Sequence, residues 1–327
     1  MIYRAALIGC GRIGSEYDEA PRVKGIYSHA GAYAACPQTR LVAVCDKDPD
    51  KVARCGERWS VAARYCDPQQ MLAEQHPDIV SICTPASTHS SIIHTALATP
   101  GVRAILAEKP LTLELEEASE IVRVAAENGV VLAVNYLRRY AEGHNRLRQF
   151  LQSGGIGEIR TIAGYYTKGT FNNGTHWFDL ARFLVGEVIR VRGVDVLKED
   201  GDDPTLDAFL EFDSGVNAHL QGCEEAAFSL FEMDLIGASG RARVIESGRT
   251  IEVYELVEDP YFTGYKTVAR KEKLEGGLHY GLLHAVENLV RCVNDGSQPA
   301  CSGADALAIH SSSPYAATRA AQARWRR

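Results

Sequence analysis

The first 136 residues alternate between short apolar runs and longer amphipathic stretches. Each run has four or five residues of almost unbroken apolar character, which is typical of a strand buried on both faces of a parallel sheet. The runs lie at residues 5–8, 41–45, 79–83, 104–107 and 130–134. Residues 50–59, 90–98 and 113–127 are long enough to form helices that cross between such strands. The alternation predicts an α/β fold with a doubly wound parallel sheet over residues 1–136.

The pattern changes after Tyr136. A helix is predicted over residues 141–152, followed by longer runs in which apolar and polar residues alternate. Those runs lie at residues 159–166, 206–212, 216–221, 231–236, 242–245 and 251–257, and helical patterns return at 280–294 and 304–324. Such alternation indicates a mainly antiparallel sheet with one face against helices. We therefore expect residues 137–327 to form a second, α+β domain.

Composition and charge exclude several classes of protein. Hydrophobic residues make up 46% and charged residues 24% of the 327-residue chain, which argues against a disordered or fibrous protein. The net charge of -7 offers no general attraction to nucleic acid. No apolar run approaches the ~20 residues that span a bilayer, and the first residues lack the pattern of a secretory signal. The nine cysteines are scattered without a CxxC pair, which favours a reducing compartment, so we expect a cytoplasmic protein.

The sequence G-C-G-R-I-G at residues 9–14 follows the first predicted strand directly. In a G-x-G-x-x-G turn the first glycine permits a tight turn, the second admits a pyrophosphate and the third allows close helix packing. A glycine-rich turn can also have no role beyond the packing of its own chain. Its place directly after a buried strand, however, predicts a Rossmann dinucleotide site with a helix N-terminus at the phosphates. The residues predicted to hold the cofactor here are Gly9, Gly11, Arg12, Ile13 and Gly14.

An acidic residue, Asp46, ends the second predicted strand, where this fold needs an acceptor for the adenosine ribose hydroxyls. It lies 32 residues after Gly14, whereas about 20 is usual, and we attribute the excess to an insertion near residues 15–27. The charge of Asp46 would repel a 2′-phosphate, which favours NAD; Lys47 could neutralise such a phosphate, so NADP stays open. The alternative is that Asp46 only opens a turn.

The loop after the third predicted strand lies at the edge where open α/β sheets bind ligands. Thr84 and Pro85 follow that strand and are predicted to line the nicotinamide side of the site. His89 comes shortly after them and is assigned to the cofactor as well, although a polar residue at the start of the next helix explains it equally well.

The fourth predicted strand ends in Glu108-Lys109-Pro110. A lysine beside a nicotinamide can hydrogen-bond a substrate hydroxyl and lower its effective pKa as hydride leaves. Pro110 restricts the backbone of Lys109 and so helps to fix the direction of the ammonium group. We predict Lys109 as a catalytic residue, with Glu108 beside it at the cofactor.

These motifs together resemble the family of glucose-fructose oxidoreductase, inositol dehydrogenase and MocA. The resemblance runs over nearly the whole chain and implies a Rossmann domain followed by a domain with a large open sheet that often serves oligomerisation. It also implies NAD(P)-dependent oxidation or reduction of sugars, cyclitols or their derivatives. The segments that carry it are the glycine turn, Thr84-Pro85 with His89, Glu108-Lys109-Pro110, residues 135–140, residues 154–159 and residues 176–184.

In that family a second signature opens a helix of the C-terminal domain, with an aspartate four residues before a histidine. His176 matches the histidine and would be the general acid or base, since an imidazole exchanges protons near neutral pH. Asn172 stands at the aspartate position; a neutral amide can orient His176 but cannot stabilise an imidazolium as a carboxylate would. A histidine at a helix start can also be purely structural. Substrate contacts are expected from Asn172, Tyr136, Arg138 and Tyr166.

The sequence thus predicts an NAD(P)-dependent oxidoreductase that acts on a secondary alcohol or carbonyl of a sugar-like or cyclitol substrate. Two alternatives remain: a non-catalytic cofactor-binding sensor, suggested by Asn172, and an NAD-assisted glycosidase. No metal site is assigned, because the histidine pairs at 89/94 and 279/284 lack partners at ligand spacing. We expect a homodimer or homotetramer formed through the C-terminal sheet. The substrate's identity and the direction of the reaction stay open.

Overall fold

The protein is described from a computed structural model, over residues 1–19, 22, 24–198, 203–224 and 228–311. The chain folds as two compact units. The first comprises Met1–Tyr140 and His279–Ala308. The second comprises Ala141–Leu278 and the chain from Ile309, of which residues 309–311 are described.

The first unit contains a six-stranded parallel sheet in the order β3-β2-β1-β4-β5-β6. The order runs outward in both directions from β1, which confirms the predicted doubly wound sheet. Its strands are β1 (Tyr3–Ile8), β2 (Thr39–Cys45), β3 (Ala63–Tyr65), β4 (Ile79–Ile82), β5 (Ala104–Ala107) and β6 (Val131–Val134). Sequence reasoning missed β3, because this three-residue edge strand has no fully buried residue and so no apolar signal.

Helices connect these strands, as the sequence predicted. They are α1 (His29–Ala35), α2 (Pro49–Arg58), α3 (Pro68–Gln75), α4 (His89–Leu97) and α5 (Leu115–Glu127). Asp48 and Asp67 cap α2 and α3 by accepting hydrogen bonds from backbone N–H groups of the first turn, and a proline follows each of them. The short helices α1 and α3 were not predicted.

The chain returns to the first unit at its C-terminal end. The helix α8 (Gly281–Asp295) contacts α1, β5 and β6, and the Tyr3 hydroxyl donates a 2.5 Å hydrogen bond to Asn294 Oδ1. Residues 279–308 therefore belong to the first compact unit, whereas the sequence-based division placed everything after residue 136 in the second domain. The physical reason is that the apolar face of α8 (Leu282, Val286 and Leu289) is buried there, and chain order does not show which core a helix joins.

The second unit is built on an eight-stranded sheet in the order β14-β13-β12-β11-β7-β10-β9-β8. All neighbouring strands are antiparallel except β7 and β10, which confirms the mainly antiparallel sheet. The strands are β7 (Ile159–Tyr166), β8 (Val188–Val194), β9 (Asp207–Phe212), β10 (Asn217–Gly222), β11 (Phe231–Gly237), β12 (Gly240–Ile245), β13 (Thr250–Glu258) and β14 (Lys266–Glu275). Edge strands β8 and β14 were missed, because neither contains a buried residue: β14 is rich in charged residues, and β8 exposes apolar residues such as Ile189.

One face of this sheet is covered and the other is open. The helices of the unit are α6 (Glu142–Gln152) and α7 (Thr175–Val185). A further helix, α9 (Gly303–Ser311), belongs to the first unit as far as Ala308. A side chain at Gly164 would meet the indole of Trp177, so α7 packs directly on β7, and Trp177 Nε1 donates to the Glu232 carbonyl. On the opposite face Tyr165 is 45% exposed. The predicted helix over 304–324 is described only to Ser311, and its remainder lies outside the described residues.

No helix among the described residues is both long enough and apolar enough to cross a membrane.

Candidate active site

The three glycines of the turn after β1 have the surroundings that a pyrophosphate site requires. Gly9 has φ +100°, and a Cβ there would lie 2.6 Å from the carbonyl carbon of Cys83. A Cβ at Gly14 would overlap the carbonyl oxygen of Gly9. Around Gly11, by contrast, no atom of the described residues lies within 4 Å of the position that a Cβ would take. The first and third glycines are thus required by packing. The second leaves the backbone accessible, which is what close approach of a dinucleotide pyrophosphate requires.

The helix that follows the glycine turn is interrupted. The Ser15 amide donates to the Gly11 carbonyl, which closes one helical turn. The chain then leaves the helix and returns, since His29 and Ala30 donate to the carbonyls of Ile13 and Gly14 at 3.0 and 2.9 Å. Residues 15–28 are therefore an insertion into α1, as the spacing to Asp46 predicted; α1 itself begins at His29 and not directly after the glycines.

The insertion is anchored at both of its ends. Asp18 accepts hydrogen bonds from the backbone amides of Tyr27 and Ser28 at 2.8 and 3.0 Å. Trp59 Nε1 donates to Ser15 Oγ at 2.9 Å and ties the start of the insertion to the end of α2. These contacts join the two ends of the insertion to each other and its start to the residue after α2.

Asp46 connects the end of β2 to the glycine turn. Its Oδ2 accepts from the Cys10 amide at 2.8 Å, and its Oδ1 accepts from the Asp48 amide at 3.0 Å. The second bond is the turn role considered from the sequence, and the first places the carboxylate beside the glycine backbone. Asp46 is half-buried, so its carboxylate can still reach a ribose hydroxyl, and Lys47 next to it is exposed.

His89 joins the loops that follow β4 and β5. Its Nε2 lies 2.8 Å from the Thr84 carbonyl and its Nδ1 lies 2.9 Å from the Pro110 carbonyl. Only 1% of the residue is exposed. Because both ring nitrogens face protein carbonyls, the structure gives His89 a bracing role in place of the cofactor contact expected from the sequence. Thr84 is half-buried and Pro85 exposed at the carboxyl end of β4.

Glu108 and Lys109 follow β5 directly and differ in their surroundings. Glu108 Oε1 is 3.0 Å from His29 Nε2 and accepts from Asn135 Nδ2 at 2.6 Å. Burial raises the pKa of the Glu108 carboxyl, but the contacts with His29 and Asn135 and the charge of Lys109 outweigh it and hold that pKa below its ordinary value. Glu108 is therefore a carboxylate that is held by His29 and Asn135 at the end of β5. Lys109 is half-buried at the tip of the strand and is joined to Pro110 by a cis peptide bond.

The residues after β6 form a buried 3₁₀ turn over Leu137–Tyr140. Arg139 in this turn donates to Asp305 Oδ1 at 3.0 Å and to the Ala300 carbonyl at 3.2 Å, which fixes the turn against the returning chain. Tyr136 and Arg138, predicted to contact substrate, are only 2% and 9% exposed. They lie in the first unit with Lys109.

The histidine signature lies in the second unit, where a π-helical turn over Gly169–Gly174 leads into α7. His176 is half-buried in the first turn of α7, and Asn172 is exposed four residues earlier. The amides of Phe171 and Asn172 donate to the carboxylate of Asp203 at 2.7 and 2.9 Å. Sequence reasoning missed Asp203, because nothing in a sequence marks a carboxylate that caps a turn from 31 residues away.

Tyr166 occupies a different place from the one that the sequence suggested. The residue is fully buried, and its hydroxyl donates to the Leu206 carbonyl at 2.8 Å while it accepts from the Leu206 amide. Thr170 Oγ1 lies 2.9 Å from the same oxygen. The hydroxyl is fully occupied by protein groups, so Tyr166 is a structural residue here and not the predicted substrate contact. The apolar face of α7 packs in the core of the second unit, where Trp177, Leu180, Phe183 and Leu184 are buried.

Two family models match the chain. Residues 3–136 match the model described as an oxidoreductase family with an NAD-binding Rossmann fold, and residues 168–243 match the GFO/IDH/MocA C-terminal domain. Inositol 2-dehydrogenase of Rhizobium meliloti is 26% identical, with 94% of each chain covered. The scyllo-inositol 2-dehydrogenase (NAD(+)) of Bacillus subtilis is 26% identical over 72% of each chain.

Solved structures share the fold. An oxidoreductase from Agrobacterium radiobacter in complex with NAD+, L-tartaric acid and magnesium has a TM-score of 0.76 at 20% identity, with 94% of this chain and 93% of that chain covered. The WlbA dehydrogenase from Bordetella pertussis, in complex with NADH and UDP-GlcNAcA, has a TM-score of 0.76 at 20% identity, with 95% and 93% covered.

A Rossmann sheet with an open glycine turn, followed by a large mixed sheet, defines the class of two-domain, nicotinamide-dependent oxidoreductases. Within that class, the chain belongs to the GFO/IDH/MocA family. It is an NAD(P)-dependent enzyme of the sugar and cyclitol dehydrogenase type, which acts on CH–OH groups.

Proposed function

We propose that this enzyme oxidises or reduces one secondary alcohol or carbonyl of a sugar, a sugar derivative or a cyclitol in the cytosol. The observation that carries the proposal is Lys109 at the carboxyl end of β5, in the same sheet as the open glycine turn. NAD, when bound, would accept or return the hydride of the reacting carbon. The nine cysteines all lie in the described part of the chain and form no disulfide there, which supports a reducing compartment.

Lys109 would hydrogen-bond the reacting oxygen of the substrate. An ammonium group at that oxygen stabilises the negative charge that develops as hydride leaves an alcohol, and it polarises a carbonyl in the reverse direction. Glu108 and the loop braced by His89 hold the backbone on both sides of Lys109. This support favours a fixed position for the ammonium, which catalysis by charge stabilisation needs.

His176 would take or return the hydroxyl proton, because an imidazole changes protonation near neutral pH. Asn172, one helical turn before it, would orient the ring or bind a substrate hydroxyl. Tyr136 and Arg138 would supply further polar groups for a polyhydroxylated substrate. No carboxylate stands at position 172, so this position cannot stabilise an imidazolium at His176 as an aspartate would.

The test combines the purified protein with NAD+ or NADP+ and a panel of polyols, sugars and cyclitols, followed by the absorbance of the reduced cofactor. We expect turnover of at least one substrate, and a fall of about 100-fold or more in kcat for Lys109→Ala with the affinity for NADH retained. Lys51→Ala, on α2, is the matched control and should be fully active. Wild-type protein that binds NADH but turns over no substrate in either direction would remove the main support, and a fully active Lys109→Ala would refute the role of the lysine.

Asn172 favours a second candidate, a cofactor-dependent sensor without turnover. A sensor requires neither Lys109 nor His176, and the chain keeps both. Binding of NADH with no turnover, together with a partner protein retained only when NADH is present, would support the sensor. Oxidised cofactor that co-purifies and is never consumed would instead point to an NAD-assisted glycosidase.

We further infer that the enzyme self-associates through the open face of the eight-stranded sheet, as a homodimer or homotetramer. On that face Tyr165, Val194 and Ile236 are 45%, 46% and 45% exposed. Phe209 and His219 stack edge to face on the same surface, with ring centroids 4.9 Å apart. Half-exposed apolar groups on a broad, regular surface are typical of a subunit interface.

A further inference from the structure

A chain of buried polar side chains runs through the core of the first unit and ends at the residue before Lys109. The Tyr33 hydroxyl lies 2.7 Å from Ser81 Oγ, which lies 2.8 Å from His29 Nδ1. His29 Nε2 in turn lies 3.0 Å from Glu108 Oε1. Tyr33, Ser81 and His29 are each 0% exposed. The four residues come from α1, β4 and the end of β5, and buried polar groups of this kind are costly unless every one is paired.

The geometry determines which atom of His29 carries the proton. A carboxylate only accepts hydrogen bonds, so the contact with Glu108 requires a proton on Nε2. In the part of the chain that the structure describes, the Tyr33 hydroxyl has only Ser81 as a partner, so its proton must point to Ser81. Ser81 can then donate only to His29 Nδ1, which must be the unprotonated nitrogen. In an imidazolium, Nδ1 would donate to Ser81 Oγ, which would then accept from both His29 and Tyr33 and leave the buried Ser81 proton without an acceptor.

Burial also keeps the tyrosine in its donor form. Burial raises the pKa of the Tyr33 hydroxyl well above its ordinary value, although the bond with Ser81 opposes this. All donors in the chain therefore point the same way, from Tyr33 through Ser81 and His29 to the Glu108 carboxylate. Asn135 Nδ2 donates to the same carboxylate oxygen from the end of β6.

We propose that this chain of side chains, with His29 as its key member, is a positioning device for Lys109: it fixes Glu108, and with it the backbone that carries Lys109, and it keeps Glu108 an anion whose charge favours the neighbouring ammonium. The inference rests on the proposed function, since it concerns the residues that position the lysine proposed there as catalytic. Four groups bear on the Glu108 carboxylate: His29 from α1, Asn135 from the end of β6, the thiol of Cys83 after β4, and Lys109 itself. Since the hydrogen-bond directions require a neutral His29, Lys109 is the cation among these four groups.

Interrupting this hydrogen-bonded chain of side chains should shift the pH dependence of activity in one direction. Without the His29 donor the Glu108 carboxyl loses a hydrogen bond to its charged form, so protonation becomes easier. A neutral or displaced Glu108 no longer stabilises the ammonium of Lys109, and the ammonium then loses its proton at lower pH. The alkaline limb of the pH profile for kcat/KM should therefore move to lower pH.

The test uses the full-length enzyme with His29→Leu, His29→Gln and Glu108→Gln. We expect kcat to fall about 100-fold in His29→Leu, since a small displacement of a catalytic group has this size of effect, with KM and the Kd for NADH within about threefold. The alkaline limb should move to lower pH in both His29→Leu and Glu108→Gln. His29→Gln, whose amide can replace the Nε2 donor, should restore most of kcat and the wild-type limb. A limb that moves in Glu108→Gln but not in His29→Leu, or a His29→Gln no better than His29→Leu, would overturn the proposal.

A second measurement does not depend on turnover. Protein labelled with ¹⁵N at histidine, with the His29 signals assigned by comparison with His29→Gln, reports the protonation of each ring nitrogen at pH 7. We expect a neutral ring that carries its proton on Nε2, and Ser81→Ala should change the Nδ1 signal. A ring protonated on Nδ1, or on both nitrogens, would overturn the proposal even in an active enzyme. An absence of turnover with the expected tautomer would instead count against the proposed function alone.

Discussion

At the scale of single residues, the glycine turn shows how one motif combines separate requirements. Gly9 and Gly14 are needed by the protein itself, because a side chain at either position would meet backbone atoms. Gly11 is different: the space beside it is open among the described residues, so we expect a side chain there to obstruct the cofactor and not the protein's own packing. Substitution should therefore separate stability from cofactor binding.

We predict opposite consequences for alanine at the second and third glycines. Gly11→Ala should leave the melting temperature within about 2 °C of wild type, because no protein atom is displaced, and should weaken NADH binding at least tenfold, about 1.4 kcal/mol. Gly14→Ala should lower the free energy of unfolding by about 2–3 kcal/mol through overlap with Gly9. Calorimetry and quenching of NADH fluorescence measure the two effects. Equal loss of stability in both variants would contradict the assignment.

Asp46 should set the preference between the two nicotinamide cofactors. Replacement of Asp46 by serine removes the carboxylate that would repel a 2′-phosphate, and also the acceptor of the Cys10 amide. We expect the affinity for NAD+ to fall roughly tenfold and the ratio of NADP+ to NAD+ affinity to rise. Titration calorimetry with both cofactors measures the ratio, and Lys47→Ala tests the exposed cation beside it. Tighter binding of NADP+ than NAD+ by the wild type would reverse this reasoning.

At the scale of elements, α1 shows that an insertion need not destroy a helix. The carbonyls of Ile13 and Gly14 accept from amides that follow the insertion, so the hydrogen bonding of the helix continues across it. The resumed helix carries His29 and Tyr33 one turn apart, and both contact Ser81. The spacing of the polar chain thus depends on the place where the helix resumes.

The hairpin of β13 and β14 should make stability depend on pH. Glu252 accepts from the Tyr254 hydroxyl at 2.7 Å and from Arg270 at 2.8 Å, and these bonds outweigh burial and hold its pKa below the ordinary value. A carboxyl whose pKa is lower in the folded state stabilises the fold above its unfolded pKa, about 4.3, and loses that contribution as the pH falls through the folded pKa. Glu252→Gln should therefore be less stable than wild type at pH 7, by about 1 kcal/mol.

Urea unfolding of both proteins at pH 7 and at pH 3.5 measures this contribution. We expect the difference in unfolding free energy to shrink at the lower pH. Glu258→Gln, on the same strand but largely exposed, is the control and should match wild type at both values. A difference that is independent of pH would show that the charge of Glu252 contributes nothing.

At the scale of the whole molecule, each unit has its own core and its own sheet. The first unit contains the glycine turn, Asp46 and Lys109, and the second contains His176 and the sheet with the open face. The return of α8 to the first unit means that the second unit is inserted between two stretches of the first.

The open face leads to a prediction about assembly. In sedimentation experiments the wild type should behave as a dimer or tetramer, and Tyr165→Arg should shift it toward the monomer, because a charge is placed among half-exposed apolar groups. Leu113→Arg, at a residue equally exposed (46%) on the first unit, should not change the mass. A wild type that stays monomeric at working concentration would refute the interface.

Much of the fold and of the cofactor site is local in the sequence. Runs of apolar residues identified five of the six parallel strands. The G-x-G-x-x-G turn and Lys109 indicated the carboxyl edge of the sheet, where we propose that the chemistry takes place. These features were predictable because strand periodicity and turn chemistry depend on residues a few positions apart. The edge strands β3, β8 and β14 escaped, since their exposed residues leave no such pattern.

By itself, then, the sequence determined the two kinds of sheet, the glycine turn and the residues that mark the enzyme class. Only the tertiary structure decided that α8 joins the first unit, that Tyr166 and His89 are held by protein groups, and that His29 lies against Glu108. The physical reason is that a buried polar group must find its partner in space. The partners of Glu108 are 79 and 27 residues away, and only packing brings them together.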